Sequence, residues 1–322
     1  MKEQNKQKLV ELDLLRVFAI ISLVLWHTYC VYMSWGITET PVGLYSRVLS
    51  MAIPCANMPL FTILAGFLFS FMLGKGKYST FTEFFKKKAK RLLIPYVVLG
   101  VLTNIAMMDW PYPLSDIFFG HPSHLWYCLM LFWCFMLCWV VEKFAPKLNY
   151  VFLAFSCFWV VYNGTSYLPR YILGLYGLFY FYCFFYFGVL LYRNRDKLMN
   201  SFRKYWCVLI VLSAIPFGKF ILFRSIAYTA LLFIIFSSDR VQQILYSNKW
   251  RREIRCISDC SFGIYIFHHV IIWNISHWNR MYNIIEQHYI LFPIVLFLFA
   301  FLLSWYLTQL CLKTKIGRFL LA

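Results

Sequence analysis

Long apolar runs recur along this chain of 322 residues, and they limit its fold more than any other feature. Ten segments read as candidate membrane spans: 12–33, 48–73, 92–108, 124–141, 149–165, 171–192, 206–222, 225–238, 259–275 and 290–311. Several approach the roughly 20 apolar residues a helix needs to cross a bilayer. The fifth and the seventh-eighth pair are the least regular. Pro216 and Lys219 interrupt the seventh, and only Phe223 and Arg224 join it to the eighth. Charged residues make up 14% of the chain and hydrophobic ones 61%, against roughly 25% charged in a soluble domain. The expected fold class is all-α: a polytopic transmembrane helix bundle of about ten spans, one domain over 1–322, without an appended soluble domain.

The formal net charge of +18 raises nucleic acid as a partner, but its distribution argues against that class. Most of the 31 Lys and Arg fall in alternate segments between the apolar runs, chiefly 74–91, 193–205 and 239–258. This is the positive-inside pattern, and it puts both termini in the cytoplasm. The first run is too long and too charged for a signal peptide and lacks a small-residue cleavage site. The expected location is a bacterial cytoplasmic (inner) membrane, with membrane lipid as surroundings. Eleven cysteines are scattered without a CxxC pair and read as small apolar side chains; no metal is expected. Asn163-Gly164-Thr165 matches a glycosylation acceptor, a tripeptide common by chance.

Within the first run, ELDLLRVFAIISLVLWH, stand Asp13, Arg16 and His27. Ionisable groups in a membrane segment are costly, usually face a protein interior or a wet cavity, and mark function. On a helix, positions 16 and 27 differ by about 20° and lie about 16 Å apart along the axis, with position 13 one turn from 16. A carboxylate and a guanidinium therefore share a stripe with an imidazole some three turns further along. Asp13 and Arg16 have two readings. They form a structural ion pair, or Asp13 orients an anion-binding Arg16, since an isolated buried charge is heavily penalised.

Three further stretches carry polar groups. KGKYSTFTEFFKKKAKRLLIPY holds Lys86, Lys87, Lys88, Lys90 and Arg91 before an apolar run. Lys88 and Arg91, three apart, fall on one helical face. The cluster reads as anchoring to anionic lipid, or as a cytoplasmic cradle for a phosphorylated molecule. The planar fork of Arg91 suits the second use. FGHPSHLWYCLMLF places His121, His124 and Trp126 at the outer interface, where aromatics form a belt. The two histidines lack a third ligand for a metal. ISDCSFGIYIFHHVII puts His268 near mid-membrane and His269 about 100° from it. Gly66 and Gly263 read as points of close helix approach. Trp110, Tyr112, Trp278 and Tyr282, in the outer loops, are candidate sugar-stacking residues or interfacial anchors.

LDLLRVFAIISLVLWH resembles the opening signature of the membrane-bound acyltransferase-3 family, which modifies glycans and other extracytoplasmic acceptors. PLFTILAGFLF, KKKAKRLLIPY, HLWYCLMLF and SFGIYIFHH continue the likeness in the family's order over nearly the whole chain. Two positions depart from it. Ala65 stands where relatives often have serine, and the paired basic motif appears as Lys88 and Arg91. The resemblance implies an acyl-CoA donor, commonly acetyl-CoA, reached from the cytoplasm. It also implies a hydroxyl acceptor on a glycan or lipid-linked sugar at the outer face. By the same likeness His27 is the catalytic residue and Arg16 its donor-binding or essential partner. The expected site is thus Asp13, Arg16 and His27 for chemistry and Arg16, Lys88 and Arg91 for acyl-CoA. His268, His124 and Trp126 are candidates for the acceptor cavity. Two other classes stand beside this one: a transporter or flippase of an acyl or glycan compound, and a non-catalytic scaffold of a polysaccharide-assembly complex. The first lacks paired inverted halves with broken helices.

Overall fold

The computed structural model describes residues 10–33, 35, 57–107, 117, 123–162, 174–214, 220–245, 250–278 and 281–321. Among these every regular element is a helix. Helix α1 spans Val10–Met33 and α2 spans Met58–Gly74. A continuous run follows, made of α3 (Phe81–Lys88), a π turn (Ala89–Leu93) and α4 (Ile94–Ala106). A 3-10 turn at Ser123–Leu125 leads into α5 (Trp126–Phe144), then α6 (Leu148–Tyr162) and α7 (Leu175–Arg193). Next come α8 (Arg195–Lys204), α9 (Trp206–Ala214), α10 (Ile221–Phe236) and α11 (Asp239–Leu245). The chain closes with α12 (Arg251–Ser276), α13 (Tyr282–Gln287), α14 (Phe292–Lys313) and α15 (Lys315–Leu321).

Among the described residues, six stretches are long and apolar enough to cross a membrane: α1, the α3–α4 run, α5, α7, α12 and α14. The pair α10 and α11, bent by 74°, makes a seventh if taken as one span. Helices α2 and α6 are apolar but shorter. Of the expected segment 206–222, the described stretch Trp206–Ala214 is the helix α9, which buries none of its residues. Pro216 and Lys219 lie outside the described residues, as do Trp110, Tyr112, His121 and the 163–165 tripeptide.

Helix α1 is the hub, packed against α2, α10, α12 and α14. Its first turn is tied down by a 2.5 Å ion pair between the buried Glu11 and Arg195 of α8. The most extensive packing joins α2 to α7. There a Cβ on Gly66 would overlap the Phe185 carbonyl, and a Cβ on Gly188 would overlap the Ile63 carbonyl. Backbone thus meets backbone at both crossings, as small residues permit between membrane helices. Gly263 of α12 instead makes room for the Thr308 side chain of α14. One end of α5, α6 and α7 is held by Glu142. It accepts from both arms of Arg193, at 3.2 and 2.6 Å, and from the Asn149 amide at 2.7 Å. The outward face of α14, including Leu298, Phe299, Leu302 and Tyr306, is exposed and apolar, the surface a bilayer covers.

The π turn has a local cause. Pro95 has no N–H to offer the Arg91 carbonyl, and its ring crowds that turn. The helix widens there, with the Ile94 N–H reaching back to the Ala89 carbonyl. Such single wide turns recur at functional sites.

Candidate active site

A cavity of about 540 Å³ lies at the basic end of the bundle, between α1, α2, the α3–α4 run, α5 and α12. Arg16, Lys88 and Arg91 line it, against one carboxylate on the same wall, Asp259. The remaining wall is largely apolar, with Leu64, Ala65, Leu68 and Phe69 from α2 and Phe135 from α5. Ala65 offers no hydroxyl. A net positive cavity with an apolar bore suits an anionic head carrying a thin uncharged arm.

Each cation is held by its own local structure. Arg16 is half-buried and carries the electrostatic influence of Asp13, Arg91 and Asp259. Asp13 accepts a 2.9 Å hydrogen bond from the Ser258 hydroxyl, which ties α1 to α12 beside the cavity. The Lys88 ammonium lies 3.4 Å from the centre of the Phe135 ring, with Tyr78 at 5.4 Å and Phe84 at 5.8 Å. Arg91 is exposed at the rim. Burial holds the Tyr78 phenol above its ordinary pKa, opposed by the nearby Arg91. Tyr78 therefore stays a hydrogen-bond donor at neutral pH.

Tyr127 and Tyr265 form the far wall of this cavity. Their ring centres are 6.1 Å apart. Tyr265 also faces the other way. Its hydroxyl donates to the His124 carbonyl, and its ring lies 5.3 Å from His124 and 6.3 Å from His268. The Tyr127 hydroxyl lies 3.3 Å from that of Thr62, which donates to the Met58 carbonyl at 2.8 Å.

Beyond the tyrosines is a cluster of four histidines. His27 and His268 are 4.9 Å apart by ring centres, with His27 Nδ1 3.1 Å from His268 Nε2. His269 lies 5.2 Å from His27 and stacks on His124 at 4.4 Å. His124, His268 and His269 are buried, and His27 is half-buried. Trp35 borders the cluster, 6.2 Å from His27 and 5.1 Å from Trp273. Among the described residues no group of three or more His, Cys, Asp or Glu is arranged to hold a metal ion.

The expected residues divide as follows. Arg16, Lys88 and Arg91 share the cavity, with Asp13 beside it. His27, His124 and His268 come together beyond its tyrosine wall. His27 itself is not on the lining of this cavity; it stands with His268 on the far side of Tyr265. Trp126 turns toward α7, 5.5 Å from Phe181, while its neighbour Tyr127 faces the cavity. Adjacent helical positions point about 100° apart, which separates the two roles. His269 is the residue that sequence spacing set aside. Because α12 contacts both α1 and the 3-10 turn, two adjacent positions on it reach the same cluster. The HH pair in SFGIYIFHH was the available signal.

A family model described as an acyltransferase domain, family 3, matches residues 9–309. No curated protein and no solved structure matches the chain.

Proposed function

The chain belongs to acyltransferase family 3, and on that premise we propose that it moves an acyl group from acyl-CoA to a sugar hydroxyl across its membrane domain. The acyl group is acetyl, and the acceptor is a glycan or lipid-linked sugar at the outer face. The bundle crosses the bacterial inner membrane ten times with both termini in the cytoplasm, so the cationic cavity opens to cytoplasmic acetyl-CoA. One arrangement carries the reading: a cavity lined by Arg16, Lys88 and Arg91 ends at Tyr265, whose ring borders the cluster holding His268 and His27.

The CoA phosphates lie against Arg16, Lys88, Arg91 and the Tyr78 hydroxyl. Guanidinium forks and ammonium groups make charge-assisted bonds of this kind. The pantetheine arm follows the apolar bore toward Tyr127 and Tyr265, and its thioester passes that wall to meet His27. His27 takes the proton of the acceptor hydroxyl, the oxygen attacks the thioester carbonyl, a C–O bond forms, and the C–S bond breaks. The CoA thiolate leaves and takes the same proton back from the imidazolium. The products are an ester and free CoA. A positioned base of this kind contributes roughly 10²–10⁴-fold.

The test uses the purified full chain in lipid nanodiscs, labelled acetyl-CoA and a membrane glycan extract, with thiol release and ester formation both measured. The wild-type protein releases thiol in step with ester. A His27→Ala protein that inserts normally and transfers acetyl at the wild-type rate removes the base assignment.

A further inference from the structure

His268 does more than fill space next to His27. Its Nδ1 lies 2.8 Å from the Ile264 carbonyl. A carbonyl only accepts, so Nδ1 carries the ring's proton, and Nε2 of the neutral ring holds a lone pair. That lone pair faces His27 Nδ1 at 3.1 Å. His27 Nδ1 also lies 3.0 Å from the Leu23 carbonyl. Both neighbours of His27 Nδ1 are therefore acceptors. The proton of the neutral His27 ring must sit on Nδ1, which leaves Nε2 as the nitrogen able to take a proton. The opposite tautomer would set three lone pairs against one another.

We propose that His268 is a positioning residue that holds His27 in the tautomer with a free Nε2 and accepts its Nδ1–H while Nε2 carries the acceptor's proton. The proposal rests on His27 being the base. Through the reaction the Nδ1–H stays in place. Only the Nε2 proton moves, from the sugar hydroxyl to His27 and from His27 to the CoA thiolate.

The fold makes His268 suited to this task. Each ring is first bonded to its own helix four residues back, His27 to Leu23 on α1 and His268 to Ile264 on α12. The packing of α1 on α12 then brings two already oriented rings together. His268 is completely buried, so water does not compete for its lone pair. A carboxylate at this position would fix the same tautomer, but it would add a buried negative charge within the membrane domain. That charge is heavily penalised, whereas a neutral imidazole accepts the bond without it.

The experiment compares His268→Leu, His268→Gln and His27→Ala in the full chain in nanodiscs. It measures kcat and KM for acetyl-CoA with a membrane glycan extract as acceptor. His268→Leu keeps an apolar side chain and loses the acceptor. Its kcat falls on the order of 10- to 100-fold with KM unchanged, less than the roughly 10⁴-fold of a fully inverted tautomer, because Leu23 still holds the Nδ1–H. His268→Gln brings an amide oxygen close to the place of Nε2 and restores most of kcat. A residue that merely packs would give the reverse order, since leucine suits an apolar pocket better than glutamine. The ¹⁵N spectrum of the wild-type chain gives a reading independent of variants: His27 Nδ1 protonated and His268 Nε2 unprotonated. A wild-type kcat in His268→Leu, a glutamine variant no better than the leucine one, or the reversed ¹⁵N pattern overturns the positioning role. If His27→Ala stays active, the base assignment fails instead. An inactive His27→Ala beside a fully active His268→Leu removes the positioning role alone.

Discussion

The Lys88 ammonium sits 3.4 Å from the centre of the Phe135 ring, an aromatic face of the same cavity that Arg16 lines. The contact joins the basic run of α3 to α5 and holds the cation over the bore. A cation over a ring is stabilised by about 0.5–1 kcal/mol when exposed and about 2 when desolvated. Lys88→Met keeps the stem and removes the charge. The expected result is a KM for acetyl-CoA raised on the order of tenfold, with kcat changed little, since the lost interaction is made by bound substrate and transition state alike. Lys88→Arg should stay within a few-fold of wild type. Steady-state kinetics on both variants checks this.

On the proposed reading, Arg16 binds the donor's phosphates beside Lys88. Its replacement by alanine removes charge-assisted bonds of about 1.5–3 kcal/mol each, and KM for acetyl-CoA should rise on the order of 10- to 100-fold. Arg16→Lys keeps the charge and loses the fork, so an intermediate value is expected. Calorimetric titration with CoA, without any acceptor, reads the same loss as a change in Kd.

Gly66 and Gly177 make a matched pair for stability. A Cβ at Gly66 would overlap the Phe185 carbonyl, part of a packed backbone, whereas one at Gly177 meets the flexible side chain of Met130 at 2.9 Å. Overpacking typically costs about 1–3 kcal/mol. Gly66→Ala should therefore lower Tm in detergent by several degrees or prevent insertion, and Gly177→Ala should lower it much less. Thermal melts of the two proteins decide the comparison.

Tyr265 borders both the cavity and the histidine cluster, and its hydroxyl bonds the His124 carbonyl. Tyr265→Phe deletes that bond and keeps the ring. A hydrogen bond contributes about 0.5–1.5 kcal/mol, so kcat should fall by about tenfold or less while acetyl-CoA binding is unaltered. Thiol-release rates at saturating donor test it.

The α1 stripe was legible because its signal is local. Arg16 and His27 lie on one helix, and 3.6 residues per turn fixes their relative direction without any partner. Lys88 and Arg91 were legible for the same reason. What the sequence concealed depends on how helices face one another. Tyr127 and Tyr265 gain their place as a dividing wall only when α5 and α12 are docked, and nothing local distinguishes Tyr127 from Trp126. His269 looked turned away from His268 on an isolated helix, but a groove bounded by two neighbours accepts both.

The wide turn at Ala89–Leu93 has a mechanical consequence. It sets a fixed angular offset between the stretch that carries Lys88 and the face that α4 packs on its neighbours. A helix without the wide turn would point Lys88 a fraction of a turn away from Phe135, the ring it now faces. Substituting Pro95 would restore the missing N–H and let the stretch revert to an ordinary α-turn, shifting that alignment.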